Sequence, residues 1–247
     1  MNTLHTGATY LEAITALPSD RLARSTFQDL VVRIASPGAL LFDFGAGPGI
    51  DARFYAERGF AVGAYDADPQ MCEHFDLHCR EFIDAGQIVL NRGSYGDFLA
   101  RSSVGDGRPV DLVTANMAPL NLIEDLRELF AKFHALTGAD GKVLASVLSP
   151  YFVGDLKYRW WWRNAARLWR RGHFSVPGAH GAIVRRRLLD FAAQSAPYFT
   201  LERVFRGLPP SQAQSRRGID VAGGNRSAWL HVATCRFMVL LFRKCRQ

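Results

Sequence analysis

A glycine-rich turn with an acidic residue on each side is the part of the sequence best suited to chemistry. The segment Leu40–Gly49 reads LLFDFGAGPG, and Asp66 directly follows the next apolar run, Ala61–Tyr65. Glycines let a backbone approach a ligand without a clash from a Cβ atom. A carboxylate placed directly after a strand can accept two hydrogen bonds from a ribose diol. The pattern therefore predicts a site for a cofactor that contains a nucleoside.

The charge of Asp43 indicates which nucleoside cofactor fits. A dinucleotide site has the spacing G-x-G-x-x-G and directs a helix N-terminus at a pyrophosphate. Here the spacing is G-x-G-x-G, and Asp43 lies inside the strand, two residues before the first glycine. Its carboxylate would repel a pyrophosphate and would attract an ammonium or a sulfonium. A nicotinamide oxidoreductase is therefore disfavoured.

Alternating apolar runs and amphipathic stretches indicate the elements that position these residues. Strands are expected at Ala39–Phe44, Ala61–Tyr65, Gln87–Asn91, Val110–Ala115 and Lys142–Leu148. Helices are expected before residue 37 and at Asp51–Arg58, Pro69–Ala85 and Leu120–Thr137. Strand–helix alternation with short turns that contain glycine is typical of a parallel sheet with right-handed crossovers.

The pattern changes after residue 150. A helix is expected at Ala182–Ala196, and strands at Tyr198–Leu208 and Trp229–Phe242 are separated by a polar loop, Pro209–Ser227. Two late strands with such a loop between them suit an antiparallel hairpin at a sheet edge.

Together, Asp43, the glycine turn, Asp66 and this rhythm resemble the class I S-adenosylmethionine-dependent methyltransferases over about residues 39–150. The resemblance implies an α/β, Rossmann-like fold with a seven-stranded, mostly parallel sheet, helices on both faces and a cap after strand five. It also implies S-adenosylmethionine as the cofactor. We expect one methyltransferase domain over 1–247, made of N-terminal helices (1–38), a cofactor-binding core (39–150), an aromatic and basic cap (151–180) and a helix with a strand pair (181–247).

The resemblance also implies a set of cofactor contacts. These are Asp43, Gly45, Ala46, Gly47, Gly49, Asp66, Ala67, Met71, Gly93, Ser94 and Asn116. Within this set Asp43 would hold the amino group, directly or through water, and Asp66 would hold the ribose. After strand three the family usually has a Gly-Asp pair, which is Gly93-Ser94 here, so the Ser94 hydroxyl would replace an acid beside the adenine. Asn116 matches the position that faces the transferred methyl group.

The charge of the chain is distributed unequally. Residues 1–150 carry 12 Lys+Arg and 19 Asp+Glu, a net charge of −7, whereas residues 151–247 carry 18 and 4, a net charge of +14. Such asymmetry indicates an anionic partner for the C-terminal part.

The segment after strand four, Asn116-Met117-Ala118-Pro119, lacks the paired prolines and the aromatic residue typical of enzymes that methylate base amines. A nucleobase amine is therefore disfavoured as acceptor.

The segment Lys157–His173 is both aromatic and basic, and it predicts an amphipathic helix. At helical spacing one face holds Tyr158, Trp161, Ala165, Leu168 and Trp169, and the other holds Arg159, Arg163, Arg167 and Arg170. Three interpretations are open: a helix packed on the domain, a lid over an anionic or aromatic acceptor, and contact with a membrane surface. For the lid, the candidate substrate-binding residues are Tyr10, Tyr151, Trp161 and Trp162, and the candidate general bases are His173 and His180.

These observations lead to one functional hypothesis with two alternatives. The chain is expected to methylate a small molecule that is anionic, aromatic or amphiphilic, in specialised or lipid metabolism. The alternatives are an RNA methyltransferase that uses the basic half, and a cofactor-binding protein without catalysis.

We expect no metal site, because Cys72, His74, His78 and Cys79 do not match zinc-ligand spacing. The N-terminal sequence has no signal-peptide pattern, so a cytoplasmic location is expected.

Overall fold

A computed structural model describes residues 18–178, 181–206, 219–220 and 235–245 of the chain. The chain divides into two compact units, Met1–Asn116 with Leu136–Gly141, and Met117–Ala135 with Lys142–Gln247. Tyr10, His180 and most of the predicted loop Pro209–Ser227 lie outside the described residues, and so do the first 17 residues of the predicted N-terminal helices.

The first unit contains the elements that carry the predicted cofactor site. Its helices are α1 (Pro18–Ile34), α2 (Ile50–Ala56), α3 (Pro69–Asp84) and α4 (Tyr95–Ala100). Its strands are β1 (Leu40–Phe44), β2 (Ala61–Asp66), β3 (Ile88–Arg92) and β4 (Val110–Ala115). The strands lie in the order β3-β2-β1-β4, and all three pairings are parallel. The register places Asp43 between Ala64 and Thr114, so β1 carries its carboxylate in the middle of the sheet.

Local sequence explains where these elements begin. All five residues of β1 are buried, as expected for a central parallel strand. Helix α3 begins after Asp68, whose side chain accepts hydrogen bonds from the amides of Gln70 and Met71, and Pro69 occupies the first helical position. Helix α4 was not predicted; it is short and begins with a capping box formed by Ser94 and Asp97.

The second unit contains most of the remaining elements. These are a 3₁₀ helix (Pro119–Leu122), α5 (Leu126–Leu136), β5 (Thr137–Leu148, which starts in the first unit), a 3₁₀ helix (Val153–Asp155), α6 (Arg159–Arg171), β6 (His173–Gly178), β7 (Gly181–Arg186), α7 (Leu188–Ser195), β8 (Phe199–Arg206), β9 (Ile219–Asp220) and β10 (Phe237–Lys244). The order β5-β10-β8-β9 is antiparallel throughout. The prediction of an α/β fold with a parallel sheet and a late antiparallel pair is confirmed.

Two predicted helices are wrong in part. The first half of Ala182–Ala196 is strand β7, which pairs with β6 in a register that places Val176 opposite Ile183. Pairing with β6, which lies outside the predicted helix, overrides the weak helix preference of this short apolar run. The predicted helix Leu120–Thr137 is divided into a 3₁₀ helix and α5.

No helix among the described residues is long and apolar enough to cross a membrane.

Candidate functional site

The turn after β1 is fixed to β2 by its backbone. The amides of Gly45 and Ala46 both donate to the carbonyl oxygen of Tyr65, at 2.9 and 3.0 Å. Gly47 has a φ of +55°, and a Cβ atom added to it would have no heavy atom of the described residues within 4 Å. Gly47 therefore faces open space, as a residue that lines a ligand must.

Gly49 has a different role from Gly47. It precedes α2 with a φ of +83°, and an added Cβ would lie 2.7 Å from Cys79 Sγ and 2.8 Å from Phe75 Cδ2. Both of these side chains belong to α3. The absence of a side chain at Gly49 thus allows α3 to pack against the start of α2. A direct contact of Gly49 with the cofactor stays a prediction.

Asp66 lies at the end of β2 and is tied to the glycine turn. Its Oδ2 accepts a hydrogen bond of 2.7 Å from the Gly47 amide, and its Oδ1 accepts one of 2.9 Å from the Asp68 amide. Burial raises the pKa of Asp66, and these two donors oppose the increase. Each carboxylate oxygen can accept a second hydrogen bond, so the group retains capacity for two ribose hydroxyls.

Asp43 is a buried carboxyl group that is only half satisfied. Asp43 is 2% exposed, and its Oδ1 accepts a hydrogen bond of 3.0 Å from the Thr114 hydroxyl. Its Oδ2 is buried without a hydrogen-bond partner among the described residues. Burial, with a further contribution from the negative charge of Asp51, raises the pKa of Asp43 to about 8. A buried acid with one vacant oxygen fits a ligand that brings a cation, such as the ammonium group of S-adenosylmethionine.

A second buried carboxylate, Asp51, organises a polar network that the sequence did not predict. Asp51 is 4% exposed in the first turn of α2 and forms an ion pair with Arg24 of α1. Its Oδ1 accepts a hydrogen bond of 2.7 Å from Gln28 Nε2, and its Oδ2 accepts one of 3.1 Å from Asn116 Nδ2. The network orients Asn116 at the end of β4. Two features of the sequence could have indicated this network. Asp51 comes just after the glycine turn, and Arg24 and Gln28 are one helical turn apart in the preceding helix.

The residues expected beside the adenine lie after β2, in the first turn of α3 and after β3. Met71 is buried, whereas Ala67 is exposed. The Ser94 hydroxyl donates to Asp97 Oδ2 at 2.7 Å and accepts from the Asp97 amide at 3.2 Å, so it caps α4. Gly93, with a φ of +121°, allows this cap, because an added Cβ would lie 3.0 Å from Asp97 Oδ2. Contact between Ser94 and an adenine stays a prediction.

In the second unit, the aromatic residues expected to bind substrate differ in burial. Tyr151 is half-buried, which raises its pKa to about 12. Trp161 is also half-buried, and its Nε1 donates to the Pro150 carbonyl at 2.9 Å. Trp162 is 62% exposed, and its Nε1 donates to the Leu156 carbonyl at 2.8 Å. The two indole rings meet edge to face, with centroids 5.0 Å apart.

His173, the candidate base that the structure describes, lies beside an acid. Its Nδ1 is 3.5 Å from Asp190 Oδ2, and the same oxygen is 3.5 Å from Nε of Arg186. The imidazole begins β6 and is half-buried. The contact is not a hydrogen bond, because His173 Nδ1 is buried without a hydrogen-bond partner among the described residues. The role of His173 as a general base stays a prediction.

Two buried arginines of β7 hold neighbouring segments of the second unit, and the sequence did not single them out. Arg185 is 8% exposed; its Nη1 donates to the Ser149 carbonyl at 2.6 Å and to Asp155 Oδ2 at 3.1 Å. Its guanidinium carbon lies 5.6 Å from the centre of the Trp160 ring in α6. Arg186 is 1% exposed and donates to the carbonyls of residues 123 and 124. Arg185 thus joins the end of β5 to α6.

Comparison with known proteins identifies the class of this chain. A family described as a methyltransferase domain matches residues 19–196, which is most of the chain. The chain belongs to this methyltransferase family. It is an S-adenosylmethionine-dependent methyltransferase, and both the predicted activity and the predicted cofactor are confirmed. Among curated proteins, no match was found.

Solved structures show the same fold at low sequence identity. A TehB-like methyltransferase from Corynebacterium glutamicum is 17% identical, with a TM-score of 0.55 over 97% of this chain and 98% of that chain. A methyltransferase from Mesorhizobium loti is 17% identical, with a TM-score of 0.56 over 88% and 97% of the two chains. The 1,6-didemethyltoxoflavin-N1-methyltransferase of Burkholderia thailandensis is 17% identical, with a TM-score of 0.55 over 99% and 91%. That structure contains 1,6-didemethyltoxoflavin and S-adenosylhomocysteine.

Proposed function

We propose that this methyltransferase acts on a small molecule that is anionic, aromatic or amphiphilic. The observation that carries the proposal is the segment 156–189, which holds nine Lys and Arg residues and no Asp or Glu. The segment follows β5 and includes six aromatic residues from Tyr158 to Phe174. A guanidinium binds carboxylate and phosphate oxygens in a fixed fork, and aromatic rings enclose an apolar body. The small heterocycle bound to the Burkholderia thailandensis enzyme supports the size class.

On the cofactor side, we assign three residues to distinct parts of S-adenosylmethionine. Asp43 would hold the amino group through its vacant Oδ2, Gly47 would lie along the ligand with its open side, and Asp66 would accept the ribose hydroxyls. When bound, the cofactor supplies a methyl group on a positively charged sulfur. The carboxyl of Asp43 carries a proton at neutral pH because its pKa is about 8, so binding of a cation would release that proton.

On the acceptor side, we assign Tyr151 and Trp161 to enclosure and His173 to proton removal. Both aromatic residues are half-buried in the segment after β5 and are ordered by burial or by a hydrogen bond. A nucleophile that arrives protonated needs a base at transfer, and an imidazole nitrogen can act as that base. Tyr10 and His180, outside the described residues, keep their predicted roles in acceptor binding and base catalysis.

RNA is the second candidate acceptor, because the net charge of +14 over residues 151–247 could neutralise phosphates. The purified enzyme is incubated with S-adenosylmethionine that carries an isotopically labelled methyl group, either with total RNA or with a panel of acceptors. The panel contains aromatic carboxylates, phosphorylated aromatics and acyl chains on a carrier. Mass spectrometry should find the label in a panel member. Label found only in RNA would overturn the proposal.

Two variants serve as controls for that experiment. Asp43→Asn should lose transfer to every acceptor, because the carboxylate that attracts the cation is removed. Leu77→Ala removes a side chain of α3 that is 66% exposed, and it should retain full transfer. Full transfer in Asp43→Asn would contradict the assignment of Asp43.

A further inference from the structure

Helix α6 presents two tryptophans to solvent on one face. Trp162 is 62% exposed and Trp169 is 81% exposed, and their spacing of seven residues places them two turns apart on the same side. The face that packs inward is marked by the buried residues Asn164 and Leu168. The sequence analysis grouped Trp169 with Leu168 on one face by helical spacing. In the structure Leu168 is buried and Trp169 is exposed, so this face is divided between the interior and solvent.

The same outward side of α6 is strongly cationic. Arg159, Arg163, Arg167 and Arg170 are all exposed, and they continue around the helix from the two tryptophans. The sequence has no carboxylate between Asp155 and Asp190, so no acid from this segment neutralises them. The helix has 13 residues and is about 20 Å long at 1.5 Å per residue.

Apolar side chains just before α6 extend the exposed outward side of this helix. Val153 and Tyr158 are exposed, and Trp162 Nε1 donates to the Leu156 carbonyl, which holds the preceding turn against the helix. The Trp162 ring is therefore ordered although most of its surface faces water. Exposed indole rings at the border of a basic face are costly in water, and they are stabilised at the headgroup level of a lipid bilayer.

We propose that the outward face of α6 binds the surface of a membrane that contains anionic phospholipids. The rings of Trp162 and Trp169 enter the interface, and the arginines bind the phosphate groups with their apolar stems along the acyl boundary. A nucleic acid would also attract the arginines, and that occupant is separated by the test below. The proposal concerns where the enzyme is held. It uses four of the nine basic residues that also support an anionic acceptor, and vesicle binding and methyl transfer test the two proposals separately.

The test measures co-sedimentation of the full chain with vesicles of phosphatidylcholine that contain 30% phosphatidylglycerol, and with pure phosphatidylcholine vesicles. We expect binding to the anionic vesicles that weakens with added salt, and a blue shift of tryptophan emission. Trp162→Ala/Trp169→Ala should weaken binding by about tenfold or more. Arg163→Gln should weaken it by about fivefold, the value of one basic residue near an anionic surface. Leu77→Ala, which removes an exposed apolar side chain of α3, should bind as the wild type does.

Folding and competition determine how the result is interpreted. Every variant must bind S-adenosylhomocysteine as the wild type does, which shows that the cofactor-binding unit is intact. Quenching of wild-type tryptophan emission by lipids brominated near the headgroup would place the rings in the interface without any variant. Equal binding of the wild type and the double tryptophan variant would overturn the proposal. Absence of vesicle binding, with salt-sensitive binding of total RNA instead, would overturn it as well.

Discussion

The Gly47 amide donates a 2.7 Å hydrogen bond to Oδ2 of Asp66. The glycine turn after β1 and the carboxyl end of β2 are therefore one hydrogen-bonded piece before any ligand binds. This contact orients the Asp66 carboxylate and lowers the cost of ordering it when the cofactor enters. It also means that a change at Asp66 acts on the turn as well as on the ribose.

Replacement of Asp66 tests the ribose assignment. Asp66→Ala removes the acceptors for both hydroxyls and should weaken S-adenosylhomocysteine binding by about 1.5–3 kcal/mol, the range for hydrogen bonds to charged groups. Isothermal titration calorimetry measures the change. Asp84→Ala, at an exposed carboxylate at the end of α3, is the matched control and should leave affinity unchanged. Unchanged affinity in Asp66→Ala would show that the ribose lies elsewhere.

The two glycines of the turn should respond in opposite ways. Gly47→Val places a branched side chain in open space, so it should abolish cofactor binding and leave a cooperative fold, with about 1–2 kcal/mol of strain from its positive φ. Gly49→Ala should instead destabilise the fold strongly, because its Cβ would overlap Cys79 and Phe75. Thermal melts together with titrations separate the two effects. A stable Gly49→Ala protein would contradict the packing role.

Cofactor binding should release a proton from Asp43. Below its pKa of about 8 the free enzyme holds the neutral carboxyl, whereas the ammonium of the ligand favours the carboxylate. Affinity for S-adenosylmethionine should therefore rise between pH 6 and pH 7.5, by up to about tenfold per pH unit. Calorimetry in phosphate and in Tris, which differ in ionisation enthalpy, counts the protons released. The same binding enthalpy in both buffers would exclude this linkage.

Arg24 should be essential for stability, because it neutralises a buried charge. Arg24→Met removes the ion-pair partner of the buried Asp51 carboxylate, and loss of one partner of a buried pair costs about 3–5 kcal/mol. Urea denaturation should show this loss at pH 7. Arg21→Met, one turn earlier on α1 and exposed, should change the free energy of unfolding by less than about 0.5 kcal/mol. A similar small change in Arg24→Met would mean that Gln28 and Asn116 suffice to hold Asp51.

The sequence predicted the elements whose signal is local and repeated. Strands β1, β2 and β4 are apolar runs between turns. Asp43 lies inside the first run and Asp66 directly follows the second, so the sheet and the positions of both acids in it could be predicted. Strand β7 was not, because its conformation depends on pairing with β6 rather than on its own residues. The exposure of Trp169 was also not predicted, because helical spacing groups side chains on one face without showing which face is buried.

Buried polar networks were outside the reach of the sequence for a related reason. The partners of Asp51 come from α1 and from the end of β4, which are 23 to 65 residues away along the chain. The partners of Arg185 come from the end of β5 and the following turn, 30 and 36 residues away. Charged residues at such distances read as surface residues until the fold brings them together.

The most direct measurement is the titration of S-adenosylmethionine into the wild type and into Asp43→Asn. We expect one site per wild-type chain and loss of detectable binding in the variant, because the amide cannot balance the ligand's ammonium. The variant should also melt at a higher temperature above pH 7. The reason is that the raised pKa of Asp43 makes ionisation of the folded form unfavourable and lowers stability as the pH rises from about 4 to 8. A wild type that binds no S-adenosylmethionine, or an Asp43→Asn variant that binds it equally well, would contradict the site described above.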